Sequence, residues 1–392
     1  MGSPLSKLAR VIVVTWFYPD QPGYLDFSYR VQALARHYRV TLIAREPIRQ
    51  AELQADTIDY VVIPTEDCSS LKHVSYVMRV AAHVREYKPD VLVLLGSQIA
   101  AVKLLIGDIP CATYWNEHPA HYFPGGEGSP AKRLLRSALR WLTYRGARIS
   151  EVVMPIGEAH QEDLLAHGIA PVRSRLIYMG VAAGFAPETG YSTSLKRAPT
   201  SDAEPLKLIY TGTVIRERGR DVMLEGLARA NAAQRLATLT MVGALPEQIA
   251  YCEARAQALG IGDALKMIGR VPGSSIPGLL AEADAGICIW EDRLYWRFNP
   301  PTKLFEYLVA GLPVLASNIR THTDYIRNWE NGVVFDYSAE SFAARVAELF
   351  ERRAELPRMR ACALAESDKY LWDKLEGRFL AALPIKPLVS KA

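Results

Sequence analysis

Two residues of opposite charge, Lys303 and Glu306, lie three positions apart at the start of a short amphipathic run, PPTKLFEYLVAG, residues 300–311. Pro300 and Pro301 suit the beginning of a helix, where a missing N–H costs nothing. The N–H groups of Thr302, Lys303 and Leu304 would then be left for an anion, which the positive end of the helix dipole also favours. Lys303 adds a full positive charge, and Glu306, one turn in, can set its carboxylate beside the same mouth. Amide donors and a cation suit a diphosphate, and a carboxylate suits a ribose diol, so one helical turn can meet both needs. Leu304, Phe305 and Leu308 pack the other side. Gly311 is expected as a left-handed cap, with Pro313 preventing continuation. Taken alone, the same pattern also fits a well-capped surface helix.

The elements that must position this turn alternate regularly. In the first half strands are expected at 10–16, 39–44, 59–63, 91–95, 110–115, 151–154 and 175–178. Helices are expected at 28–38, 70–87, 97–106, 130–146 and 157–167, the first with Ser28 as N-cap. Residues 184–205 are rich in Pro, Ser, Thr and Ala, lack an apolar period and read as a linker. The alternation then restarts, with strands at 206–211, 236–242, 264–268, 285–289 and 313–316. Helices follow at 219–231, 247–259, 276–282, 302–310 and from 339 to the end. Unbroken apolar strands alternating with helices give a parallel sheet covered on both faces. The fold class is therefore α/β, with two doubly wound, Rossmann-like parallel-sheet domains facing a cleft. The domains are drawn as 1–185 and 206–369, joined by 186–205, with helices in 370–392 packing back on the first. A chain of 392 residues has room for both. Ligands of such sheets sit outside the carboxyl ends of the strands.

Hydrophobic residues make up 49% of the chain and charged residues 22%, an ordinary balance for a soluble globular protein. A net charge of +4 does not argue for nucleic acid, and none is expected as a partner. Cys68, Cys111, Cys252, Cys288 and Cys362 are scattered without metal spacing and read as thiols in a reducing compartment. The N-terminal apolar run is too short to span a bilayer and has no small-residue cleavage site, so a cytoplasmic protein is expected.

The stretch PPTKLFEYLVAGLPVLAS resembles the donor-site signature of the GT-B-fold glycosyltransferases, particularly the retaining enzymes of family 4. TGTVIRERGRDVML, residues 211–224, is similar to the family's Gly-x-x-x-x-x-Lys-Gly segment, whose basic residues hold the donor diphosphate. On that match Arg218 takes the Lys place, and Thr213 stands after Gly212 where many members have Arg. MVGA (241–244), IGRVP (268–272) and LLAEADAGICIW (279–290) follow in the family's order, and IYMGVAAGFAP (177–187) resembles its interdomain segment. The resemblance implies that Gly212, Thr213, Arg218, Pro301, Thr302, Lys303 and Leu304 surround the donor diphosphate. It implies that Glu306 holds the ribose and that Gly269, Arg270 and Val271 read the base. Many members carry two glutamates eight residues apart. Glu306 matches the second, but Phe298 stands at the first; either Glu291, Asp292, Arg297 or a backbone group replaces it, or the donor sugar needs no such contact.

In the first half, Asn116, Glu117 and His118 resemble the family's loop near the reacting carbon. His118 has the pKa of a general base, and Glu117 would need burial to acquire one. The rival reading is a loop with a satisfied histidine. His118 and His121 lack a third ligand, so no metal is expected. Asp20, Gly23 and Tyr24 follow the first strand and are candidate acceptor contacts, although Tyr24 fits equally well as packing. On residues 130–148, Leu134, Leu135, Ala138, Leu139 and Leu142 share a face flanked by Lys132, Arg133, Arg136 and Arg140, with Trp141 and Tyr144 near the border. That composition fits an interfacial helix on anionic lipid, with Arg133, Arg136, Arg140 and Trp141 as contacts. It fits a core-packed helix with a basic back as well.

The resemblance implies a retaining transfer of a sugar from a nucleotide-diphosphate sugar to a hydroxyl acceptor. Lys303 and Arg218, with Glu117 or His118, would carry the catalysis, with no cofactor and no metal. If the basic helix binds lipid, the acceptor is a membrane carrier or glycolipid and the enzyme is peripheral at the inner face of the plasma membrane. A nucleotide-sugar 2-epimerase and a non-catalytic sugar-nucleotide-binding subunit are the alternatives on the same fold.

Overall fold

The structure, a computed structural model, describes residues 8–16, 24–48, 53–65, 70–126, 128–187 and 204–385, with only the backbone for Tyr24 and Leu25. Two parallel sheets form its frame. The first contains β1 (Arg10–Thr15), β2 (Arg39–Ala44), β3 (Ile58–Val62), β4 (Val91–Leu95), β5 (Cys111–Trp115) and β6 (Val152–Pro155), in the order β3-β2-β1-β4-β5-β6. The second contains β7 (Leu206–Thr211), β8 (Ala237–Ala244), β9 (Leu265–Gly269), β10 (Ala285–Cys288), β11 (Val314–Ser317) and β12 (Gly332–Phe335), in the order β12-β11-β10-β7-β8-β9. Central strands such as β1 and β4 are buried along nearly their whole length, as helices on both faces require. The winding reverses between β1 and β4 and again between β7 and β10. These reversals are where the carboxyl ends of parallel strands open a binding crevice.

The chain divides into two compact units. One comprises residues up to Gly180 together with those from Lys374 onward, and the other is Val181–Asp373. Of the expected linker, residues 188–203 lie outside the described residues. In the first unit the helix Tyr24–His37 buries Asp26 and Arg30 one turn apart, as an ion pair. Asp26 also accepts from the Tyr114 hydroxyl and from the Gly180 N–H at 2.7 Å. Arg30 lies 4.1 Å above the Tyr114 ring, 5.6 Å from that of Phe379, and donates to the Tyr178 carbonyl. The helix Trp372–Ala382 is further tied at Glu376, which pairs with Arg36 at 2.5 Å. In the second unit, Leu208, Tyr210, Leu239, Met241, Ile287 and Leu315 of the sheet pack with Met223, Leu224, Leu227, Phe342 and Val346.

Four local expectations need correction. The first helix begins at Tyr24, so Ser28 is buried inside it and is not its cap. The segment expected as a helix over 97–106 is a 3₁₀-helix, Ser97–Leu105. Residues 175–178 are not a strand. Arg175 and Ile177 donate to the Val153 and Pro155 carbonyls of β6, but Pro155 has no N–H to return. The strand β12 was not anticipated, because GVVF is four residues long and has no alternation to read. Among the described residues, no helix is long and apolar enough to cross a membrane.

Candidate active site

The run expected to carry the chemistry forms the helix Thr302–Val309, with Pro301 in extended conformation at its N-cap and no side chain capping it. Its far end closes as expected, with Gly311 at φ +66° and the Leu312 N–H donating to the Tyr307 carbonyl. The helix is fixed to the sheet by Tyr307, whose hydroxyl accepts from the Thr211 N–H at 2.9 Å at the carboxyl end of β7. Phe305 stacks on Tyr370 on the opposite side. One expected donor is not available: the Leu304 N–H bonds the Pro301 carbonyl at 3.0 Å, and its side chain is fully buried. The tightened first turn spends that amide internally.

Lys303 is only 8% exposed, and its ammonium stands 3.6 Å above the Tyr210 ring. It borders Gly212, where an added Cβ would meet Nζ at 3.1 Å. Arg218 ends the turn Arg216–Arg218, with its guanidinium carbon 5.2 Å from the centre of the Trp290 ring. Among the described residues, neither cation has a carboxylate within ion-pair distance. Each rests instead on an aromatic face, which attracts the cation without occupying its N–H groups. The two charges also feel each other. Burial first, and then Arg218, draw the Lys303 pKa down to about 7, against the upward pull of Cys288 and then Glu306. Burial pushes Glu306 up to about 7, opposed by Lys303. The result is a pair of basic side chains at the β7–β10 reversal, with one carboxylate a helical turn away.

The remaining residues expected on the donor side lie at or beyond the carboxyl ends of strands of the same sheet. The Thr213 carbonyl accepts from the Tyr210 hydroxyl at 2.8 Å, so the loop after β7 fixes the ring under Lys303. Gly269 ends β9 beside Ala244 of β8, with Arg270 exposed and Val271 half-buried. Phe298 is half-buried behind the turn Leu294–Arg297. The carboxylates weighed as replacements for the missing glutamate are held by neighbours: Glu291 by Arg293 at 2.7 Å and Asp292 by Arg297 at 2.5 Å.

In the other unit, His118 caps the short helix Pro119–Tyr122, its Nδ1 accepting from the Ala120 N–H at 3.2 Å. That leaves the ring proton on Nε2, which faces the Tyr144 hydroxyl at 3.3 Å and Asp163 at 3.9 Å. Tyr144 in turn donates to Asp163 at 2.6 Å. Burial lowers the His118 pKa, although Asp163 opposes it. Both ring nitrogens are thus engaged in holding the loop to the helices Pro130–Ile149 and Glu158–Ala166, the role of a satisfied histidine. The Glu117 carboxylate is half-buried and sits 3.4 Å from His121. Asp20 and Gly23 lie outside the described residues, as does the side chain of Tyr24. Among the described residues, no group of three or more His, Cys, Asp or Glu side chains could hold a metal ion.

The model of the group 1 glycosyl transferases matches residues 192–363, and that of glycosyltransferase family 4 matches residues 29–184. Solved structures share the fold over nearly the whole length. Anabaena Alr3699/HepE in complex with UDP superposes with a TM-score of 0.71 at 15% identity, covering 95% of this chain and 98% of that one. WaaG, a glycosyltransferase involved in lipopolysaccharide biosynthesis, gives 0.71 at 18% identity with the same coverage. A glycosyltransferase from Rickettsia africae gives 0.70 at 14%, covering 96% and 97%. The chain is a GT-B glycosyltransferase. No curated protein matches its sequence.

The basic helix of this glycosyltransferase, Pro130–Ile149, differs from the expectation. Its buried side is Leu139, Thr143, Tyr144, Gly146 and Ala147. Leu134 and Trp141 lie on the opposite side, 72% and 63% exposed, among exposed Arg133, Arg145 and Arg148. Arg136 and Arg140 are not free for lipid, because they donate to the Pro124 and Phe123 carbonyls and brace the preceding loop.

Three residues that support Lys303 and Arg218 in the glycosyltransferase were not singled out from the sequence. Tyr210 and Trp290 seat the two cations, and Gly219 permits the turn that carries Arg218. Gly219 sits at φ +74°, so close to Ile289 that a Cβ would meet its side chain at 2.6 Å. For Tyr210 and Trp290 the signal was present as aromatic residues ending the apolar runs LKLIY and AGICIW, at the carboxyl edge where ligands bind, and for Gly219 as the closing glycine of the Gly-x-x-x-x-x-Lys-Gly match.

Proposed function

We propose that the enzyme moves a sugar, with retention of configuration, from a nucleotide-diphosphate sugar to the hydroxyl of an acceptor. The pair Lys303 and Arg218 carries this reading. They are two cations held on aromatic rings, without counter-ions among the described residues, at the carboxyl ends of adjacent strands. A diphosphate bridging them supplies the missing negative charge. As the bond between the anomeric carbon and the phosphate oxygen breaks, charge grows on the leaving diphosphate, and these fixed cations stabilise it. Only the part of that attraction that grows accelerates the step. Glu306 holds the ribose hydroxyls, and backbone groups of Gly269, Arg270 and Val271 read the base.

With His118 engaged at both nitrogens, the departing phosphate oxygen itself takes the proton of the attacking hydroxyl. That transfer balances the reaction without a dedicated base and delivers the acceptor to the same face that the leaving group vacates. Lys303 and Arg218 do the electrostatic work that a divalent ion does in other phosphate sites, so no metal is required. Uridine is the first base to test, since solved relatives of this fold were obtained with UDP and UDP-glucose. The exposed Leu134 and Trp141 among arginines support a peripheral membrane enzyme whose acceptor is a lipid-linked glycan intermediate.

The test is thermal unfolding with a panel of nucleoside diphosphates and nucleotide-sugars, followed by acceptor-dependent release of nucleoside diphosphate. A donor that binds only the folded form raises the midpoint. No shift with any member of the panel would overturn the donor reading, and a new nucleotide-sugar formed without acceptor would mark an epimerase.

A further inference from the structure

We propose that Trp290 is a positioning residue for Arg218, setting the direction in which its guanidinium meets the donor diphosphate. The proposal rests on the donor reading above and extends it to a residue that need not touch the donor.

An arginine beside a phosphate site is usually aimed by a carboxylate, but a carboxylate would also neutralise it. Arg218 has no carboxylate within ion-pair distance among the described residues, and its guanidinium carbon lies 5.2 Å from the Trp290 ring centre. The ring is held on several sides. The Trp290 N–H donates to the Ser317 hydroxyl at 2.9 Å, and that hydroxyl donates back to the Trp290 carbonyl at 2.9 Å. One buried serine at the end of β11 therefore pins both polar groups of the Trp290 backbone. On the side chain, Trp296 stacks at 5.4 Å with 26° between the planes, and His322 lies at 5.5 Å. The turn bearing Arg218 is registered on the same strand end, since Gly219 rests against Ile289, the residue before Trp290. Backbone contact and ring contact thus fix the arginine at two successive positions just past the carboxyl end of β10. Such a seat restricts the guanidinium while leaving its N–H groups for oxygen acceptors, which suits the bidentate binding of phosphate.

The experiment is a double-mutant cycle read by UDP affinity and by the donor KM and kcat, using Trp290→Leu, Trp290→Phe and Arg218→Ala in the full chain. Trp290→Leu is expected to weaken UDP about three- to tenfold. Uridine binding, followed by ligand-observed NMR, should stay unchanged. Trp290→Phe, which keeps an aromatic face, should restore most of the loss. In the Arg218→Ala background, Trp290→Leu should cost nothing further. Equal losses with and without Arg218, or an equal loss for uridine, would overturn the proposal and leave Trp290 a packing residue. If Trp290→Leu does not fold, the same cycle with Trp290→Phe decides, a smaller loss that vanishes in the Arg218→Ala background being the expected result. A native enzyme that binds no nucleoside diphosphate would instead remove the donor reading.

Discussion

Lys303 and Tyr210 meet face to tip, the ammonium 3.6 Å above the ring centre and no carboxylate within ion-pair distance among the described residues. A buried cation held this way is costly to the free enzyme and is relieved when an anion arrives. Lys303→Met keeps the stem and removes the charge. It is expected to lower kcat/KM about 10²- to 10³-fold, comparable to losing one donor of a preorganised charge-stabilising site. Steady-state kinetics checks this. The same variant should not lose unfolding stability at neutral pH in the absence of nucleotide.

On the donor reading, the ionisation of Lys303 is expected to make nucleotide binding proton-linked. The Lys303 pKa is lowered from 10.5 to about 7, so its contribution to stability is present above pH 10.5 and is lost as pH falls through about 7. The Glu306 pKa is raised from 4.5 to about 7, so its contribution is present below pH 4.5 and is lost as pH rises through about 7. A bound diphosphate favours the charged ammonium and pulls the Lys303 pKa back up. Calorimetry of UDP binding at pH 8, in buffers of different ionisation enthalpy, should therefore show uptake of close to one proton. Lys303→Met should abolish that uptake.

Glu306 is assigned to the ribose. Glu306→Ala is expected to weaken UDP binding about tenfold, the scale of a charge-assisted hydrogen bond. The native enzyme should prefer UDP over its 2′,3′-dideoxy analogue, and the variant should not. Unchanged affinity would remove Glu306 from that role.

Gly219 is required by both its backbone angle and its contact with Ile289. Gly219→Ala is expected to cost about 1–2 kcal/mol. Thermal unfolding of the second unit should fall by a few degrees, and UDP affinity should fall with it as Arg218 is displaced.

Membrane contact, if made through the helix Pro130–Ile149, runs through Leu134 and Trp141. Replacing both by Glu should release the enzyme from vesicles containing anionic lipid. Arg136→Glu instead removes a brace of the preceding loop, so its first effect should be on acceptor turnover. Co-sedimentation with phosphatidylglycerol vesicles separates the two.

The parts that were legible in the sequence are those whose signal is local. VIVVT and VLVLL are apolar on both faces and can only be central strands. Pro301 and Gly311 bracket the helix between them at positions where other residues would be strained or wasted. What was missed depends on partners far along the chain. Tyr210 becomes a cation seat only because Lys303, some ninety residues later, lands above it. Trp290 does so only because the Arg216–Arg218 turn lies against the segment just past β10. Ser28 looked like a cap because a serine before an apolar run is the usual helix signal. The structure buries it inside a helix that had already begun. On the basic helix, the leucine face was only partly right: Leu139 is buried but Leu134 and Ala138 are exposed, because the close approach at Gly146 and Ala147 turns the buried side away from them.

That last point reaches beyond packing. At Gly146 the helix meets the backbone of the neighbouring 3₁₀ segment so closely that a Cβ would lie 2.2 Å from the Ala100 carbonyl oxygen. Any larger residue there would lift the helix, so its roll angle is keyed by one position. Residues 134, 138, 141 and 145 are on the far side and bear no such constraint. Selection can therefore rewrite the chemistry of that outer stripe, trading greasy for charged or neutral, with little penalty to folding. The same catalytic frame can thereby be readdressed to a different surface without redesign of its interior.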